Sequence, residues 1–263
     1  MTTATAFSPT YVGGVACAVL GEGGPVTVFA HGLGGTSAET RPLAARVPGT
    51  RVLLDFRGHG DSVALPGGWD YDLLADDLLG VADAFGATRV VGLSVGAGAL
   101  LRVLSRDATR FERLALVMPA AIDRGRDDGA TLAIRRLGRA IDDGDVAAVT
   151  ELLLAELPEE IRDRRGVRLL LARRAAQLAT RPAPRPRRPD RPLADRSVLR
   201  AVTAPTLVVA QQQDPLHCAD LAAELAAALP YAQLLELPPG GVFWTATASV
   251  AAALAAHLAE DLT

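Results

Sequence analysis

The chain of 263 residues contains no lysine, so its 27 basic side chains other than histidine are all arginine. The formal net charge is only −3, which is too small to favour nucleic acid or an anionic membrane as a partner. The two cysteines, Cys17 and Cys218, stand alone and form no metal-ligand spacing. We therefore expect no metal, no cofactor, no nucleic acid and no membrane among the partners of this chain.

Long hydrophobic runs are also missing. No segment approaches the roughly 18 apolar residues of a membrane-spanning helix, and residues 1–14 lack the basic start and apolar centre of a signal peptide. Isolated cysteines are typical of a reducing compartment. The sequence thus predicts a cytoplasmic globular protein, and it leaves the oligomeric state open.

Short apolar segments alternate with helical patterns along most of the chain, which is typical of an α/β protein with a mostly parallel sheet and helices on both faces. The predicted strands are 26–30, 51–55, 89–93, 114–118, 206–210 and 232–237, with an antiparallel edge at 11–20.

Three helices around this sheet have recognisable ends. Asp70 is the predicted N-cap of a helix that ends at Gly86, and Asp220 is the predicted N-cap of a helix that stops before Pro230. The last predicted helix covers 249–262.

Strand patterns disappear between residues 121 and 196. Helices are predicted there at 132–141, 146–157 and 167–178, followed by an extended proline-rich loop at 181–192. We interpret 121–196 as a helical cap inserted into a core formed by 1–120 and 197–263. The arginines of the loop either hold an acidic substrate or partner, or are simply solvated.

The sequence Gly-Leu-Ser-Val-Gly at 92–96 fits G-x-S-x-G between a predicted strand and a small-residue helix, the context of a nucleophile on a sharp turn. The turn would expose Ser94 above the sheet edge and direct the positive end of the following helix at the reacting centre. Ser94 is therefore the candidate nucleophile, and its φ is expected to be unusual.

A glycine turn at 31–35 follows the strand 26–30 directly. Its glycines allow the backbone to curl so that an amide points into the pocket. The backbone amides of Leu33 and Val95 are the candidate donors of an oxyanion hole, which stabilises charge that develops in a transition state.

A third segment, 55–62, has the sequence Asp-Phe-Arg-Gly-His-Gly-Asp-Ser. With the glycine turn and the serine elbow, in this order and spacing, the chain resembles the α/β-hydrolase family over nearly its whole length. The resemblance implies that His59 mainly shapes a loop near the pocket. It also implies that Asp214, just after the strand 206–210, is the acid that orients a catalytic histidine.

The family's histidine follows the last strand, but here that segment is Pro-Pro-Gly-Gly-Val-Phe-Trp at 238–244, with Val242 at the expected position. Among the four histidines, only His217 lies on the loop of Asp214 and could approach both Asp214 and Ser94. Two alternatives stay open: His217 replaces the usual base, or no base is present and the triad is degenerate.

Three functions follow from these alternatives. The first is an enzyme that acts on a small ester or thioester through Ser94. The second is a lyase, cyclase or isomerase without a cofactor, which would use the oxyanion hole to stabilise an enolate. The third is a non-catalytic protein that binds a small molecule on a hydrolase scaffold.

Overall fold

The structure, a computed structural model, describes residues 9–124, 129–157, 159–180, 184–187 and 191–259. This part of the chain contains one sheet whose strands are β1 (Thr10–Val12), β2 (Val15–Leu20), β3 (Val26–Ala30), β4 (Thr50–Asp55), β5 (Arg89–Leu93), β6 (Arg113–Val117), β7 (Thr206–Gln211) and β8 (Ala232–Leu237). The spatial order is β1-β2-β4-β3-β5-β6-β7-β8. β1 and β2 pair antiparallel at one edge, and β3 to β8 are parallel.

These strands confirm the predicted fold class, and the predicted strand ends agree within one residue. The helices in the described residues are α1 (Ser37–Ala44), α2 (Tyr71–Phe85), α3 (Val95–Arg106), α4 (Gly129–Asp142), α5 (Val146–Ala155), α6 (Glu159–Arg162), α7 (Val167–Thr180), α8 (Ala219–Ala228) and α9 (Thr247–Ala259), with a 3₁₀ helix at Arg196–Ala201. Residues 260–262 of the predicted last helix lie outside the described residues.

One of the two predicted helix caps is confirmed and the other is wrong. The Asp70 side chain accepts a hydrogen bond from the Leu73 amide, and Gly86 ends α2 in the left-handed conformation. Asp220, in contrast, lies in the first turn of α8, and the N-cap is Cys218. The turn that precedes α8 is built by another carboxylate, as described below, so the helix starts earlier than its side-chain pattern indicates.

Helices cover both faces of the sheet. Leu74 of α2, Leu100 of α3 and Leu225 of α8 are buried in the larger core on one face. Leu43 of α1 and Leu254 of α9 are buried in the core on the other face. Among the described residues, no helix has both the length and the apolar character that a bilayer span requires.

The helices α4 to α7 lie between β6 and β7 in the chain and have small apolar cores of their own. Val149 of α5 packs with Ala175 of α7 in one of them, and Leu154 packs with Val167 in the other. The division of the chain into a core and a cap remains a prediction.

The described part of the proline-rich segment, 184–187, runs beside Trp69. The Trp69 amide donates to the Arg185 carbonyl at 2.8 Å, and the Arg187 amide donates back to the Trp69 carbonyl at 2.8 Å. These backbone contacts agree with the predicted extended conformation. Residues 181–183 and 188–190 of the predicted loop lie outside the described residues.

The start of α3 touches the end of β3 through backbone atoms. A Cβ added to Gly96 would lie 2.5 Å from the Ala30 carbonyl oxygen and 2.8 Å from that of His31. Gly80, in the middle of α2, is exposed and has no atom within 4 Å of such a Cβ. The two glycines therefore differ in the space around them although both are helical.

Alanine at these two positions should change stability in opposite directions. Gly80→Ala is expected to raise the free energy of unfolding by about 0.5–1 kcal/mol, because glycine loses more backbone entropy on folding. Gly96→Ala is expected to lower it by about 1–3 kcal/mol, because the methyl group meets backbone atoms that cannot move aside. Urea unfolding of both variants measures this, and a neutral Gly96→Ala would contradict the close approach.

Candidate active site

Ser94 connects β5 to α3 in a strained conformation, with φ 52° and ψ −109°. A non-glycine residue with positive φ is uncommon, so the predicted unusual turn is confirmed. The Ser94 amide donates to the Val117 carbonyl at 2.9 Å, which ties the turn to β6. The serine side chain thus stands at the carboxyl edge of the sheet, at the N-terminus of a helix.

His217 lies between Ser94 and Asp214. Its Nε2 is 2.9 Å from Ser94 Oγ, and its Nδ1 is 2.9 Å from Asp214 Oδ1. The side chains of His217 and Asp214 are each 18% exposed. The structure therefore brings the three sequence-predicted side chains into one hydrogen-bonded series.

The Asp214 carboxylate also builds the loop that carries His217. Its Oδ1 accepts hydrogen bonds from the Leu216 amide at 2.9 Å and the His217 amide at 2.7 Å. Burial is the largest single effect on Asp214 and raises its pKa, but the hydrogen bonds and the charge of His217, with the two amides, lower the pKa overall. An ionised Asp214 accepts a hydrogen bond from the Nδ1–H of His217, and this tautomer leaves the Nε2 lone pair facing Ser94.

The glycine turn 31–35 carries Leu33, one of the two predicted oxyanion donors. The Gly35 amide donates to the Gly32 carbonyl at 3.0 Å, and Gly34 has a φ of 67°. Among the hydrogen bonds of the described residues, none uses the amide of Leu33 or Val95. Their role as oxyanion donors remains a prediction.

Two side chains that the sequence did not assign to the site hold this turn. The Gly32 amide donates to Glu39 Oε2 at 3.0 Å, and the Gly34 amide donates to His59 Nε2 at 3.3 Å. Thr36 and Glu39 have the spacing of a capping box, a local helix-start pattern. The Thr36 side chain makes no cap hydrogen bond, and the Glu39 carboxylate accepts from the Gly32 amide instead. The local pattern therefore did not indicate that Glu39 lies at the site.

The remaining histidines make structural contacts. His31 is fully buried; its Nδ1 lies 2.7 Å from the Gly32 carbonyl, and its Nε2 accepts from the Phe56 amide at 3.0 Å. His257 belongs to α9, and its Nε2 lies 2.9 Å from the Leu114 carbonyl. Neither has a contact to Ser94.

Val242 is 4% exposed and belongs to the apolar core beneath α9. Its carbonyl accepts from the hydroxyl of Thr247 at 2.9 Å, and Thr247 is the first residue of α9. The backbone at Val242 is therefore tied to the start of the last helix. Val242 and His217 line the same cavity. The structure thus places an apolar side chain and an imidazole in the lining of one cavity, and the imidazole is at hydrogen-bond distance from Ser94.

The cavity above these residues has a volume of about 1330 Å³ and is walled by the core and by α5 to α7. Burial, followed by the negative charge of Asp214, raises the pKa of Glu156 to about 7. Arg174 of α7 donates to the Gly34 carbonyl. Neither Glu156 nor Arg174 was predicted from the sequence, because charged residues on a predicted helix are most often solvated. The described residues contain no group of side chains suited to a metal ion.

Comparison with known proteins agrees with this architecture. A family model described as alpha/beta hydrolase family matches residues 27–256. No curated protein matches the chain significantly in sequence.

Several solved structures have a similar fold. An esterase from Exiguobacterium antarcticum is 19% identical, with a TM-score of 0.71 over 94% of this chain and 96% of its own. An enol-lactonase from Burkholderia xenovorans is 21% identical, with a TM-score of 0.74 over 96% and 100%. A meta-cleavage product hydrolase from Pseudomonas fluorescens is 17% identical, with a TM-score of 0.73 over 93% and 94%.

Acid should destabilise the protein partly through His31. Burial, followed by the neighbouring His59, lowers the pKa of His31 from 6.5 to about 3. The unfolded chain therefore binds a proton more readily, so this contribution is complete above pH 6.5 and falls as the pH drops towards 3. The slope is at most about 1.4 kcal/mol per pH unit.

The measurement is urea unfolding of the natural protein and His31→Gln between pH 7.5 and 5. The raised pKa of Glu156 acts in the opposite direction over part of this range, so the comparison between the two proteins isolates His31. The variant is expected to be less stable at pH 7.5 but to lose less stability on acidification. An equal loss in both proteins would contradict the prediction.

Proposed function

Because the chain belongs to the alpha/beta hydrolase family, we propose that it is a serine hydrolase that cleaves a small ester or thioester. The observation that carries the proposal is the position of His217, within 2.9 Å of both Ser94 Oγ and Asp214 Oδ1. Nucleophile, base and orienting acid at hydrogen-bond distance are the requirements of serine acyl transfer.

In the proposed reaction, His217 Nε2 takes the proton of Ser94 as Oγ attacks the substrate carbonyl. Asp214 stabilises the imidazolium that forms. The imidazolium then donates its proton to the leaving alcohol or thiol, and an acyl-serine results. A water molecule, deprotonated by His217, releases the acid and restores the serine.

The tetrahedral intermediates carry a negative oxygen, for which the Leu33 and Val95 amides are the proposed donors. Val95 is the first residue of α3, so its amide lies at the positive end of the helix. Loss of one such donor typically costs about 10²–10³ in kcat. These amides supply the stabilisation that a nucleophile and base alone do not.

The helical segment 121–196 is proposed as a cap that closes the cavity over a small-molecule substrate. The similar folds of the esterase, the enol-lactonase and the meta-cleavage product hydrolase named above support hydrolysis as the reaction class. Cytoplasmic location remains part of the proposal. The rival functions, a non-hydrolytic enzyme using the same oxyanion hole and a binding protein, are outcomes of the experiments below.

Hydrolysis of activated esters should depend on all three members of the series. Ser94→Ala and His217→Ala are each expected to lower kcat by about 10⁴–10⁶, and Asp214→Asn by about 10⁴, since triad residues act as a unit. Steady-state kinetics and labelling of Ser94 by a serine-reactive phosphonate measure this. Cys218→Ser, on the same loop, is the control and should retain full activity.

The outcomes separate the rival functions. If the phosphonate does not label Ser94 and Ser94→Ala leaves activity unchanged, the proposed hydrolase is wrong and a binding protein is favoured. If Ser94 is labelled but activated esters are not hydrolysed, a non-hydrolytic enzyme is favoured.

Val242→His tests whether position 242 needs a base. With His217 as base, Val242→His in the natural background is expected to leave kcat unchanged or lower it, because the core position is apolar and filled. In the His217→Ala background, Val242→His should restore activity only if position 242 can also reach Ser94. A gain of ~10-fold or more, about 1.4 kcal/mol of barrier, in the natural background would show that His217 is not the working base.

A further inference from the structure

Arg174 is connected to the proposed oxyanion hole through two peptide units. Its guanidinium donates to the Gly34 carbonyl. That carbonyl and the Gly35 N–H belong to one peptide unit, and the Gly35 N–H donates to the Gly32 carbonyl at 3.0 Å. The Gly32 carbonyl in turn shares a peptide unit with the N–H of Leu33.

A trans peptide places its C=O and its N–H on opposite sides. The Gly32 carbonyl accepts from the Gly35 amide and also lies 2.7 Å from His31 Nδ1, so the Leu33 N–H must point away from the turn. The orientation of the Leu33 donor therefore depends on the buried His31 and on the plane of the Gly34–Gly35 peptide. The guanidinium of Arg174 fixes that plane, because it donates to the Gly34 carbonyl.

We propose that Arg174 is a positioning residue that orients and strengthens the Leu33 oxyanion donor through these two peptide units. Hydrogen bonds in series polarise one another. A cation at one end makes each successive N–H a better donor, and the last N–H in the series is that of Leu33. This inference rests on the proposed serine hydrolysis.

The surroundings of Arg174 agree with such a role. Burial lowers its pKa and the neighbouring Glu39 opposes that shift, so the two groups interact. Glu39 Oε2 accepts from the Gly32 amide and so places a carboxyl group beside the same turn. A negative charge there would disfavour an oxyanion, and the arginine offsets it.

Because Arg174 belongs to α7, the inference also links the helical segment to the chemistry. The other side-chain hydrogen bonds of the turn come from His31 at its start, Glu39 on α1 and His59 on the loop after β4. Among these four side chains, Arg174 is the one that belongs to the segment 121–196. Full stabilisation of the oxyanion would then require α7 to be packed against the core so that Arg174 contacts the Gly34 carbonyl.

The experiment compares Arg174→Met with Arg168→Met, which removes an exposed arginine of the same helix. Arg174→Met is expected to lower kcat at least ~10-fold with KM changed less than ~3-fold, since small misplacements of a catalytic group are costly. Arg174→Lys should recover part of the loss, because it keeps a charged donor. Arg168→Met should match the natural protein.

Inhibitor affinity provides a second measurement. A trifluoromethyl ketone forms an anionic adduct with a reactive serine, whereas the corresponding alcohol occupies the cavity without one. Arg174→Met should weaken the ketone by at least ~10-fold and leave the alcohol unchanged, since only the adduct requires the oxyanion hole. Thermal unfolding of each variant verifies that the fold is intact.

A raised KM, with equal weakening of ketone and alcohol, would overturn the inference and show that Arg174 binds the substrate directly. Unchanged kinetics would overturn it as well. Failure of the proposed function has a different signature, because the natural protein would then show no hydrolysis dependent on Ser94.

Discussion

The active edge depends on one backbone contact, the approach of α3 to the end of β3 at Gly96. With no side chain there, the first turn of the helix lies against the carbonyls of Ala30 and His31. The turn after Ser94 and the turn after β3 are consequently neighbours. The two proposed oxyanion donors, the amides of Val95 and Leu33, belong to these neighbouring turns, so the proposed function makes the glycine at position 96 a requirement of the site as well as of packing.

The second constraint is the carboxylate of Asp214, whose Oδ1 accepts from two backbone amides and from the imidazole of His217. One oxygen atom therefore shapes the loop and orients the proposed base. If His217 is the base, three residues after its acid Asp214, the loop after β8 does not have to supply a histidine. That loop is then free to bury Val242 in the apolar core beneath α9, which explains how an apolar residue is tolerated at a position where the resemblance led us to expect a histidine.

The sequence predicted the sheet well because buried parallel strands are short apolar segments. It predicted the sharp turn at Ser94 because two glycines and a small-residue helix mark that turn. Proximity on the loop identified His217 as a candidate, and its distance of 2.9 Å from Ser94 Oγ supports it as the proposed base. Glu39, Glu156 and Arg174 were missed for a physical reason. Their patterns are those of ordinary helix surfaces, and only tertiary packing shows that these surfaces face a cavity. The error at Asp220 has a related cause, since the turn before α8 is stabilised by Asp214 and not by a local cap.

Asp214 and Glu156, two carboxyl groups that line the same cavity, differ in their tendency to ionise. Asp214 has three hydrogen-bond donors and a lowered pKa, whereas burial and the charge of Asp214 raise the pKa of Glu156 to about 7. Neighbouring carboxyl groups in a partly buried site do not ionise equally, and the better hydrogen-bonded one takes the charge. Negative charge is thereby concentrated where an imidazolium would form. Glu156 follows α5 and Arg174 belongs to α7, so the helical segment contributes to the cavity lining both a cation and a carboxyl group that retains its proton to near neutral pH. The segment therefore acts on the electrostatics of the cavity.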